Sequence, residues 1–480
     1  MESQWSRLGL DLHLRLAPSH GLRAGLEHAL RDAVREGRLA PGTPLPSSRA
    51  LAGDLNVARG TVTQAYDQLV AEGYLTSRPR SGVWVADHPA APRRTSMPPP
   101  RTTLPPVHGV DLRSGLPDLS TFPRREWLAA TRHVLQSAPN TAFGYGDPTG
   151  SAELRQVLAE YLGRARGVVT TPDHIIVCAG YAHALRLVFR ALADSGAASI
   201  AVEDPSEPDY PRLAAQHGLE VRHIPVDGEG LAVAGLADEA AVAVTPAHQY
   251  PLGVTLGPAR RAQLLAWTRR TGGFVIEDDY DGEFRYDRQP VGALQGLAPD
   301  RVVYAGTASK MVAPGLRIAW IAVPDDLLPL VRRSMHWDEA YVGVIDQLAL
   351  AHLIRTGELD RHLRRCRVRY RRRRDRLGAA VERRLPHARL SGIAAGLHAV
   401  LHLPGTGMAE AELLAHLTGR GIAVDALSMF YDRPEDAPLG VVIGYATPPE
   451  HAFDHALHEL IAGLRECLPP TGPPPPTGSP

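Results

Sequence analysis

The residues with the clearest potential for chemistry surround the single lysine of this chain, Lys310. Lysine and arginine together number 52, and all but one are arginine. Arginine stays protonated in proteins, whereas a desolvated lysine amine can lose its proton and condense with a carbonyl to give a Schiff base. Gly306, Thr307 and Ser309 precede the lysine, and Arg317 follows it. Because hydroxyl and guanidinium groups suit a phosphate, this stretch suits a phosphorylated aldehyde.

The alternative for Lys310 is a surface residue without special chemistry. Its neighbourhood, Tyr304–Trp320, reads YAGTASKMVAPGLRIAW, with small residues before the lysine and Pro314 and Gly315 after it. Proline and glycine mark turns. The pattern therefore predicts a tight strand-to-loop setting rather than an open helix face, and this favours the chemical role.

A second stretch with potential for chemistry follows the strand-like run His174–Cys178. There Gly180, Tyr181 and Ala182 open a predicted helix. Backbone N–H groups at the N-terminus of a helix favour a phosphate. Many strand-to-helix turns look alike, so this signal gains weight only beside the others.

A third stretch follows the apolar run Phe274–Glu277 and contains Asp278 and Tyr280. A carboxylate that faces a pyridine nitrogen keeps the ring protonated and makes it an electron sink. The tyrosine hydroxyl is placed to donate to a phenolic oxygen of the same ring. The alternative interpretation is an acidic loop that binds a cation or is solvated.

Short strands and helices alternate around these three stretches. Helical stretches such as Ala182–Ala193 and Pro258–Arg270 separate several strand-like runs. The predicted strands are His174–Cys178, Ser199–Val202, Val221–Pro225, Ala241–Thr245, Phe274–Glu277, Val302–Tyr304 and Ala319–Ala322. The alternation predicts an α/β domain with a mostly parallel sheet. Because ligand sites in such sheets form at the carboxyl ends of strands, the three stretches are expected to meet there.

Composition limits the class of protein. A chain of 480 residues predicts two or more domains, and 44% apolar residues suffice for a large core. No apolar run approaches the length of a membrane span, and the N-terminus lacks a secretory signal. Cys178, Cys366 and Cys467 lie far apart, which argues against disulfides or structural zinc and fits a reducing cytoplasm. The formal net charge is zero, so nucleic-acid binding requires a local patch.

Residues 21–85 predict a small separate module. Apolar residues at helical spacing predict a first helix that ends near Gly37. A second helix over Arg49–Leu55 has Ser47 or Ser48 as its cap, and a third covers Arg59–Glu72. Two short strand-like pieces follow. Three helices and a hairpin are typical of a winged helix-turn-helix.

Several polar residues of this module are candidates for contacts with DNA. The start of the third helix carries side chains that can reach base edges and phosphates in a major groove. The second helix and the tip of the hairpin can hold the DNA backbone. The predicted DNA-binding residues are Arg49, Arg59, Thr61, Thr63, Arg80, Ser81 and Gly82. The alternative is an ordinary solvated helix face.

Three biased segments lie outside these elements. Residues 87–109 are rich in proline and predict a semi-extended linker, and residues 468–480 predict a disordered Pro-rich tail. The arginine run Arg361–Arg376 suggests a second nucleic-acid patch. A surface helix of a small domain is the favoured interpretation, because this chain uses arginine where others use lysine.

Several motifs of this chain resemble those of known families. The first module resembles GntR-type DNA-binding domains in the motifs LPSSRALA, VARGTVTQAYDQLVAEGYL and RSG. The remainder resembles fold-type I aminotransferases, which bind pyridoxal 5'-phosphate (PLP), in YGDPTGSAELR, VEDPSEP, TPAHQYPLGVTL, FVIEDDYDGEFRY and GTASKMVAPGLRIAW. Over about Leu8–Leu464 the chain therefore resembles the MocR family of transcriptional regulators. The resemblance implies an α/β protein with a winged helix-turn-helix at residues 12–86. It also implies a linker at 87–109, large and small aminotransferase-like domains at 110–467, and a tail at 468–480.

The same resemblance implies a role for each candidate residue of the site. Lys310 forms the Schiff base with PLP, Asp278 faces the pyridine nitrogen and Tyr280 faces the ring hydroxyl. The residues around the phosphate are Gly180, Tyr181, Ala182, Thr307, Ser309 and Arg317. Tyr145 reaches the cofactor of the other subunit, which implies a head-to-tail homodimer. No metal is implied.

Two positions depart from the family pattern. The motif that usually reads EDPGYP carries an aromatic residue that stacks on the PLP ring. Here Glu207 takes that place, and Tyr210 lies three residues later as a candidate substitute. Many aminotransferases also carry an arginine that grips the substrate carboxylate, and here Val442 lies at its place. These differences count against transamination of an ordinary amino acid.

Three functions follow from these observations. The leading hypothesis is a cytoplasmic, PLP-dependent, DNA-binding transcriptional regulator that senses PLP or an amine or amino-acid effector. It is favoured because both sets of motifs occur on one chain. The alternatives are a PLP-dependent aminotransferase with an accessory DNA-binding head, and a regulator whose larger domain no longer holds a cofactor.

Overall fold

The structure is a computed structural model that describes residues 21–79, 81–87, 109–286, 291–336, 340–392, 395–404 and 407–468. Its contacts divide the chain into two compact units, residues 1–104 and residues 105–480, which we call the head and the body. The division falls within the segment that was predicted as a linker. Most of that segment and almost all of the predicted tail lie outside the described residues.

The described residues of the head form three helices followed by an antiparallel hairpin, which confirms the predicted winged helix-turn-helix. Its elements are α1 (Leu22–Arg35), α2 (Ser48–Leu55), α3 (Arg59–Ala71), β1 (Leu75–Arg78) and β2 (Gly82–Val85). Ser47 caps α2 by accepting a hydrogen bond from the Ala50 N–H at 3.2 Å. Asn56 ends α2 in the left-handed conformation, with φ of 52°, and so turns the chain into α3.

One apolar core holds the head together. Leu30 of α1, Leu51 of α2, Leu69 of α3 and Val85 of β2 are all buried in it. Burial of each such side chain contributes about 1.5–3 kcal/mol. Because the buried residues recur at helical spacing on α1 and α3, the polar residues between them face solvent.

An eight-stranded sheet forms the centre of the body. The strands of the body are β3 (Val110–Asp111), β4 (Ile175–Cys178), β5 (Ser199–Asp204), β6 (Glu220–Asp227), β7 (Gly230–Leu231), β8 (Ala241–Val244), β9 (Phe274–Asp279), β10 (Val302–Thr307), β11 (Ala319–Ala322), β12 (Arg389–Ser391), β13 (Ala399–His402), β14 (Ile422–Ala423), β15 (Asp425–Ala426) and β16 (Gly440–Ile443). The sheet has the order β4-β11-β10-β9-β8-β5-β6-β7. Neighbours from β10 to β6 are parallel, while β11 is antiparallel to both β10 and β4. The predicted mostly parallel sheet and its seven strands are confirmed.

Helices connect and cover these strands. The helices of the body are α4 (Arg124–Ser137), α5 (Ala152–Arg166), α6 (Tyr181–Asp194), α7 (Asp209–Gln216), α8 (Pro258–Thr271), α9 (Ala308–Met311), α10 (Leu328–His336), α11 (Val344–Arg355), α12 (Glu358–Arg384), α13 (Glu410–Gly419) and α14 (Phe453–Cys467). The central strands are buried on both faces, which explains why they read as continuous apolar runs rather than alternating ones.

A second, antiparallel sheet has the order β12-β13-β16-β15. Its buried residues Leu401 and Val441 belong to one apolar core with Leu363 and Tyr370 of α12. This sheet and the long α12 correspond to the predicted small domain.

The arginine-rich run lies on α12, and its prediction as a surface helix is right only in part. Most of its arginines are exposed, but Arg373 is almost fully buried. Its guanidinium donates hydrogen bonds of 2.8 Å to Asp118 and to Glu450 and one of 2.7 Å to the Pro448 carbonyl oxygen. A buried charge needs such partners. The acidic partners lie far away in sequence, so the run itself carries no sign of them.

Among the described residues, none of the helices combines the length and the apolar character that are needed to cross a membrane.

Candidate functional site

A cavity of about 270 Å³ lies in the body, and most of its lining residues lie at or after the carboxyl ends of β4, β5, β8, β9 and β10. This is the edge of the sheet where the candidate residues were expected to meet. The candidate residues that line the cavity are Tyr181, Ala182, Asp278, Tyr280, Thr307, Ser309, Lys310 and Arg317. Long-range folding therefore gathers three separate stretches of sequence into one site.

Lys310 lies on α9, a single helical turn directly after β10. The predicted strand-to-loop setting is wrong in this detail. Thr307 caps the turn by accepting a hydrogen bond from the Ser309 N–H at 3.1 Å, so the two hydroxyl residues before the lysine shape the backbone that presents it. The Lys310 amine donates a hydrogen bond to the Gly115 carbonyl oxygen.

The cavity makes the amine of Lys310 easier to deprotonate. Burial lowers the pKa of Lys310, while the carboxylates of Glu207, Asp278 and Asp281 act in the opposite direction. Desolvation disfavours the charged ammonium form, so the side chain is more often a neutral nucleophile than a surface lysine is.

Asp278 ends in the cavity with one carboxylate oxygen unused. It lies inside β9, which runs two residues further than the predicted Phe274–Glu277. Asp278 Oδ2 accepts a hydrogen bond from the Tyr210 hydroxyl, whereas the buried Oδ1 has no hydrogen-bond partner among the described residues. Burial raises the pKa of Asp278 to about 8, and the hydroxyls of Tyr210 and Tyr181 partly oppose this rise.

The next residue of β9, Asp279, has a different environment. Its carboxylate accepts hydrogen bonds from Arg166 at 2.6 and 3.0 Å and from the Tyr304 hydroxyl at 2.8 Å. Successive side chains of a strand point to opposite faces. Asp279 is thus satisfied inside the protein, and of these two aspartates it is Asp278 that presents to a ligand an oxygen without a partner among the described residues.

Gly180 and Arg317 lie together at the N-terminus of α6. The Arg317 guanidinium donates to the Ala179 carbonyl oxygen at 3.0 Å. Gly180 has a φ of 92°, and a Cβ at this position would lie 2.6 Å from Arg317 Nη2. A glycine is therefore needed for the close approach of the guanidinium. Arg317 itself has a φ of 53°, in the left-handed region that non-glycine residues rarely adopt.

Tyr280 lies between the cavity and a buried histidine cluster. Its hydroxyl donates to the His248 carbonyl oxygen at 3.0 Å, and His248 Nδ1 lies 2.8 Å from Asp281 Oδ2. His398 lines the cavity, and burial lowers its pKa to about 3. Neither histidine was predicted to lie at the site, because a lone histidine in apolar surroundings carries no distinctive spacing.

Several further lining residues were also missed or given another role. Gly115 and Tyr250 line the cavity and were not predicted to do so; Tyr250 lies within the quoted motif TPAHQYPLGVTL, which was the available signal. Glu207 lines the cavity at the place of the expected aromatic residue. Tyr210, the candidate substitute, is buried and contributes its hydroxyl to Asp278.

Tyr145 does not line the cavity of its own chain, because its side chain is fully exposed. Its predicted contact requires a second copy of the protein and stays a prediction.

The candidate DNA contacts of the head lie mainly on exposed positions. Arg49, Arg59 and Thr63 are exposed on α2 and α3, and Thr61 is half-buried. Arg59 Nε donates to Ser48 Oγ at 3.4 Å, linking the starts of the two helices.

Thr63 and the hairpin tip differ in the groups that they present for contact with DNA. The Thr63 hydroxyl donates to the Arg59 carbonyl oxygen of its own helix at 3.1 Å, which leaves its oxygen as an acceptor. Ser81 and Gly82 are exposed at the tip, whereas Arg80 lies outside the described residues.

The residues of the cavity fit PLP. The unpartnered Asp278 Oδ1 is an acceptor suited to a protonated ring nitrogen, since a buried oxygen without a partner is costly. The Lys310 amine suits the aldehyde. Arg317, the hydroxyls of Thr307 and Ser309 and the N-terminus of α6 suit the phosphate.

Comparison with known proteins gives matches for both units. The family of bacterial regulatory proteins, gntR family, matches residues 22–85. The aminotransferase class I and II family matches residues 107–441.

Curated relatives match nearly the whole chain. The HTH-type pyridoxine biosynthesis transcriptional regulator PdxR of Corynebacterium glutamicum is 34% identical over 464 residues, covering 94% of this chain and 98% of that protein. The probable rhizopine catabolism regulatory protein MocR of Rhizobium meliloti is 33% identical over 450 residues, covering 88% and 89%.

Solved structures resemble the body. Kynurenine aminotransferase of Pyrococcus horikoshii is 25% identical with a TM-score of 0.68, covering 75% of this chain and 91% of that one. An archaeal alanine:glyoxylate aminotransferase, 24% identical, has a TM-score of 0.69 with the same coverage and shows the fold alone.

Proposed function

The chain belongs to the MocR family, in which a GntR-type head is fused to an aminotransferase class I and II body, and from this premise we propose that it is a PLP-dependent transcriptional regulator. In this proposal the head binds operator DNA in the cytoplasm, and the body senses PLP or an amine effector. The observation that carries the proposal is one cavity that contains both the single lysine and the unpartnered oxygen of Asp278.

Different residues of the body would each contact one part of the cofactor. Lys310 would attach the aldehyde, and Asp278 would hold a proton on the ring nitrogen. Tyr280 would face the ring hydroxyl. Arg317 and the hydroxyls before the lysine would bind the phosphate. PLP supplies a carbon that bonds reversibly to amines and a ring that withdraws electrons.

The hydrogen bonds seen around the cavity would change when PLP binds. The Lys310 amine, which donates to the Gly115 carbonyl oxygen, would release this contact in order to react. The Asp278 carboxyl, kept protonated by burial up to a pH of about 8, would become ionised beside a cationic ring. A body with two conformations could transmit these changes to the head.

A ligand would regulate DNA binding only through its different affinities for two conformations. Two copies in a head-to-tail dimer, with Tyr145 of each copy at the site of the other, would present two heads to one operator. The linker would pass a change in the bodies to the spacing of the heads.

The alternative of a working aminotransferase has weaker support. Val442 is fully buried and apolar at the place where many aminotransferases grip a substrate carboxylate with arginine. Steady turnover of an amino acid with a keto acid, lost in Lys310→Ala, would favour the enzyme over the regulator.

The test is a titration of the purified full-length protein with PLP. We expect one equivalent to bind and to absorb at about 380–430 nm, as PLP species do. Borohydride treatment and peptide mass mapping are then expected to find the label on Lys310. A gel-shift assay on DNA upstream of its own gene, with and without PLP and amines, tests regulation. Absence of the label on Lys310, or DNA binding that no amine or PLP alters, would contradict the proposal.

A further inference from the structure

The cavity contains two carboxylates that the proposed cofactor does not use. Glu207 and Asp209 line it together with the cations Lys310 and Arg317. Asp209 is already paired with Arg212 at 2.9 Å. Once Lys310 is attached to the aldehyde and Arg317 is paired with the phosphate, neither cation of the lining balances Glu207. His398, the other basic side chain of the lining, stays neutral because burial lowers its pKa to about 3. The space beside the cofactor is therefore acidic.

No second arginine is available for a carboxylate among the described lining residues, where Arg317 is the one guanidinium. Val442, at the position of the missing arginine, is buried in an apolar cluster with Val400, Leu427 and Phe430. A ligand carboxylate would thus meet like charges without the bidentate partner that such groups normally require.

A hydrogen-bonded chain adds an acceptor to the same space. Asp425 is the cross-strand neighbour of Val442, and its Oδ2 accepts 2.7 Å hydrogen bonds from the N–H and the hydroxyl of Ser114. The Ser114 oxygen lies 2.7 Å from the Tyr250 hydroxyl. Because the serine proton is used on Asp425, the Tyr250 hydroxyl donates to Ser114. Its own lone pairs remain as acceptors in the cavity lining.

Resting on the function proposed above, we infer that the effector is a small primary amine that carries a second cationic group and no carboxylate, as a short diamine does. Its first amine lies beside the cofactor. Its second amine donates charge-assisted hydrogen bonds to Glu207 and Tyr250. At the position of the stacking aromatic residue, this chain thus has the carboxylate of Glu207, which can bind a cation. The volume of about 270 Å³, shared with the cofactor, limits the ligand to a small one.

Three probes of equal chain length separate this inference from its alternatives. Putrescine, pentylamine and δ-aminovalerate share one amine and the same methylene chain, and end in a cation, a methyl group and a carboxylate. Each is titrated into the PLP-loaded full-length protein by calorimetry, with the cofactor absorbance as a second readout. We expect putrescine to bind at least about tenfold more tightly than pentylamine, the size of one charge-assisted hydrogen bond. δ-Aminovalerate is expected to bind most weakly.

Glu207→Gln is expected to remove the preference of putrescine over pentylamine. Glu382→Gln is the matched control, since Glu382 is exposed on α12 and outside the cavity, and it should keep the preference. Tyr250→Phe provides a second variant with a smaller loss, in case Glu207→Gln loses its cofactor.

Cofactor loading is measured first, so that failures can be told apart. A wild-type protein that does not load PLP on Lys310 contradicts the proposed function and this inference with it. A loaded protein that binds the three probes equally, or δ-aminovalerate most tightly, contradicts the inference alone. A putrescine preference that persists in both Glu207→Gln and Tyr250→Phe also overturns it.

Discussion

The head and the body hold their candidate functional residues in opposite environments. In the head, Arg49 and Arg59 are exposed side chains on neighbouring helices, within one short stretch of sequence. In the body, Lys310 and Asp278 are gathered from separate strands into a cavity that shifts both pKa values. A surface that binds a polymer needs only accessible charge, whereas a site that forms a covalent bond needs desolvation. Substitutions are therefore expected to act on binding in the head, and on both chemistry and folding in the body.

The largest expected effect is at Lys310. Lys310→Ala and Lys310→Arg should both lose the borohydride-fixed PLP at position 310, because neither side chain offers an amine that can deprotonate. Mass mapping of the treated protein measures the label. The matched control is Arg49→Ala in the head, which should keep the full label while weakening DNA binding. Label that survives in Lys310→Arg would contradict the covalent role assigned to Lys310, and with it the difference drawn between the two regions.

The next effect separates the adjacent aspartates of β9. Arg166→Met leaves Asp279 as a buried carboxylate without its ion-pair partner, and should lower the free energy of unfolding by about 3–5 kcal/mol. Asp278→Asn should cost far less stability, because Asp278 is already neutral below a pH of about 8 in the absence of cofactor. Its loss should instead appear as weaker PLP binding. Urea unfolding of the cofactor-free variants measures the first quantity, and PLP titration measures the second. Equal losses of stability would show that both carboxylates are structural.

In the head, Arg59→Ala is expected to weaken specific DNA binding by about 1–3 kcal/mol if the guanidinium reads a base. Its fold should be retained, since the side chain is exposed. Arg38→Ala is the control, because Arg38 lies outside the helices of the head and pairs with Glu36. Gel shifts at several salt concentrations measure affinity, which should fall steeply with salt for wild type. Unchanged binding by Arg59→Ala would show that α3 is not the reading helix.

The smallest expected effect is a shift in the pH profile of cofactor loading. Loading requires the neutral amine of Lys310, so its rate should rise with pH through the lowered pKa. The Glu207 carboxylate raises that pKa, so Glu207→Gln should move the midpoint to lower pH. Burial raises the pKa of Glu207 itself to about 7. Wild type and variant should therefore converge below that pH, where Glu207 is neutral. A midpoint that moves to higher pH would contradict the charge assignment, and Glu382→Gln serves as the unshifted control.

The sequence predicts the head and the sheet well because both follow local rules. Helical spacing, a serine cap and turn residues are readable within about ten residues, and every predicted strand of the body is present. The environment of Asp279 was not predicted, because Arg166 lies 113 positions away. Gly115 was not predicted for the same reason, because it lies 195 positions from Lys310, whose amine donates to its carbonyl oxygen. A contact through a backbone atom also does not depend on residue type.

The cavity shows the same limit of prediction from local sequence. The departures at Glu207 and Val442 are visible in sequence, yet only as the loss of an expected residue. Their shared consequence appears once Asp425, Ser114 and Tyr250 are seen as one hydrogen-bonded chain. Pairing between β15 and β16 brings Asp425 opposite Val442, and this register is a tertiary fact.

The single lysine has a practical consequence for anyone who handles this protein. Aldehydes and activated esters find no other side-chain amine, so a vitamin B6 titration is free of the background that surface lysines give, and the α-amino group is the other amine for which its end point must be corrected. Conversely, Lys310 is the one side-chain amine through which amine coupling to a sensor chip could occur, besides the α-amino group of the chain. The three cysteines are all buried, so maleimide dyes offer no easy substitute, and a tether is best engineered at a terminus.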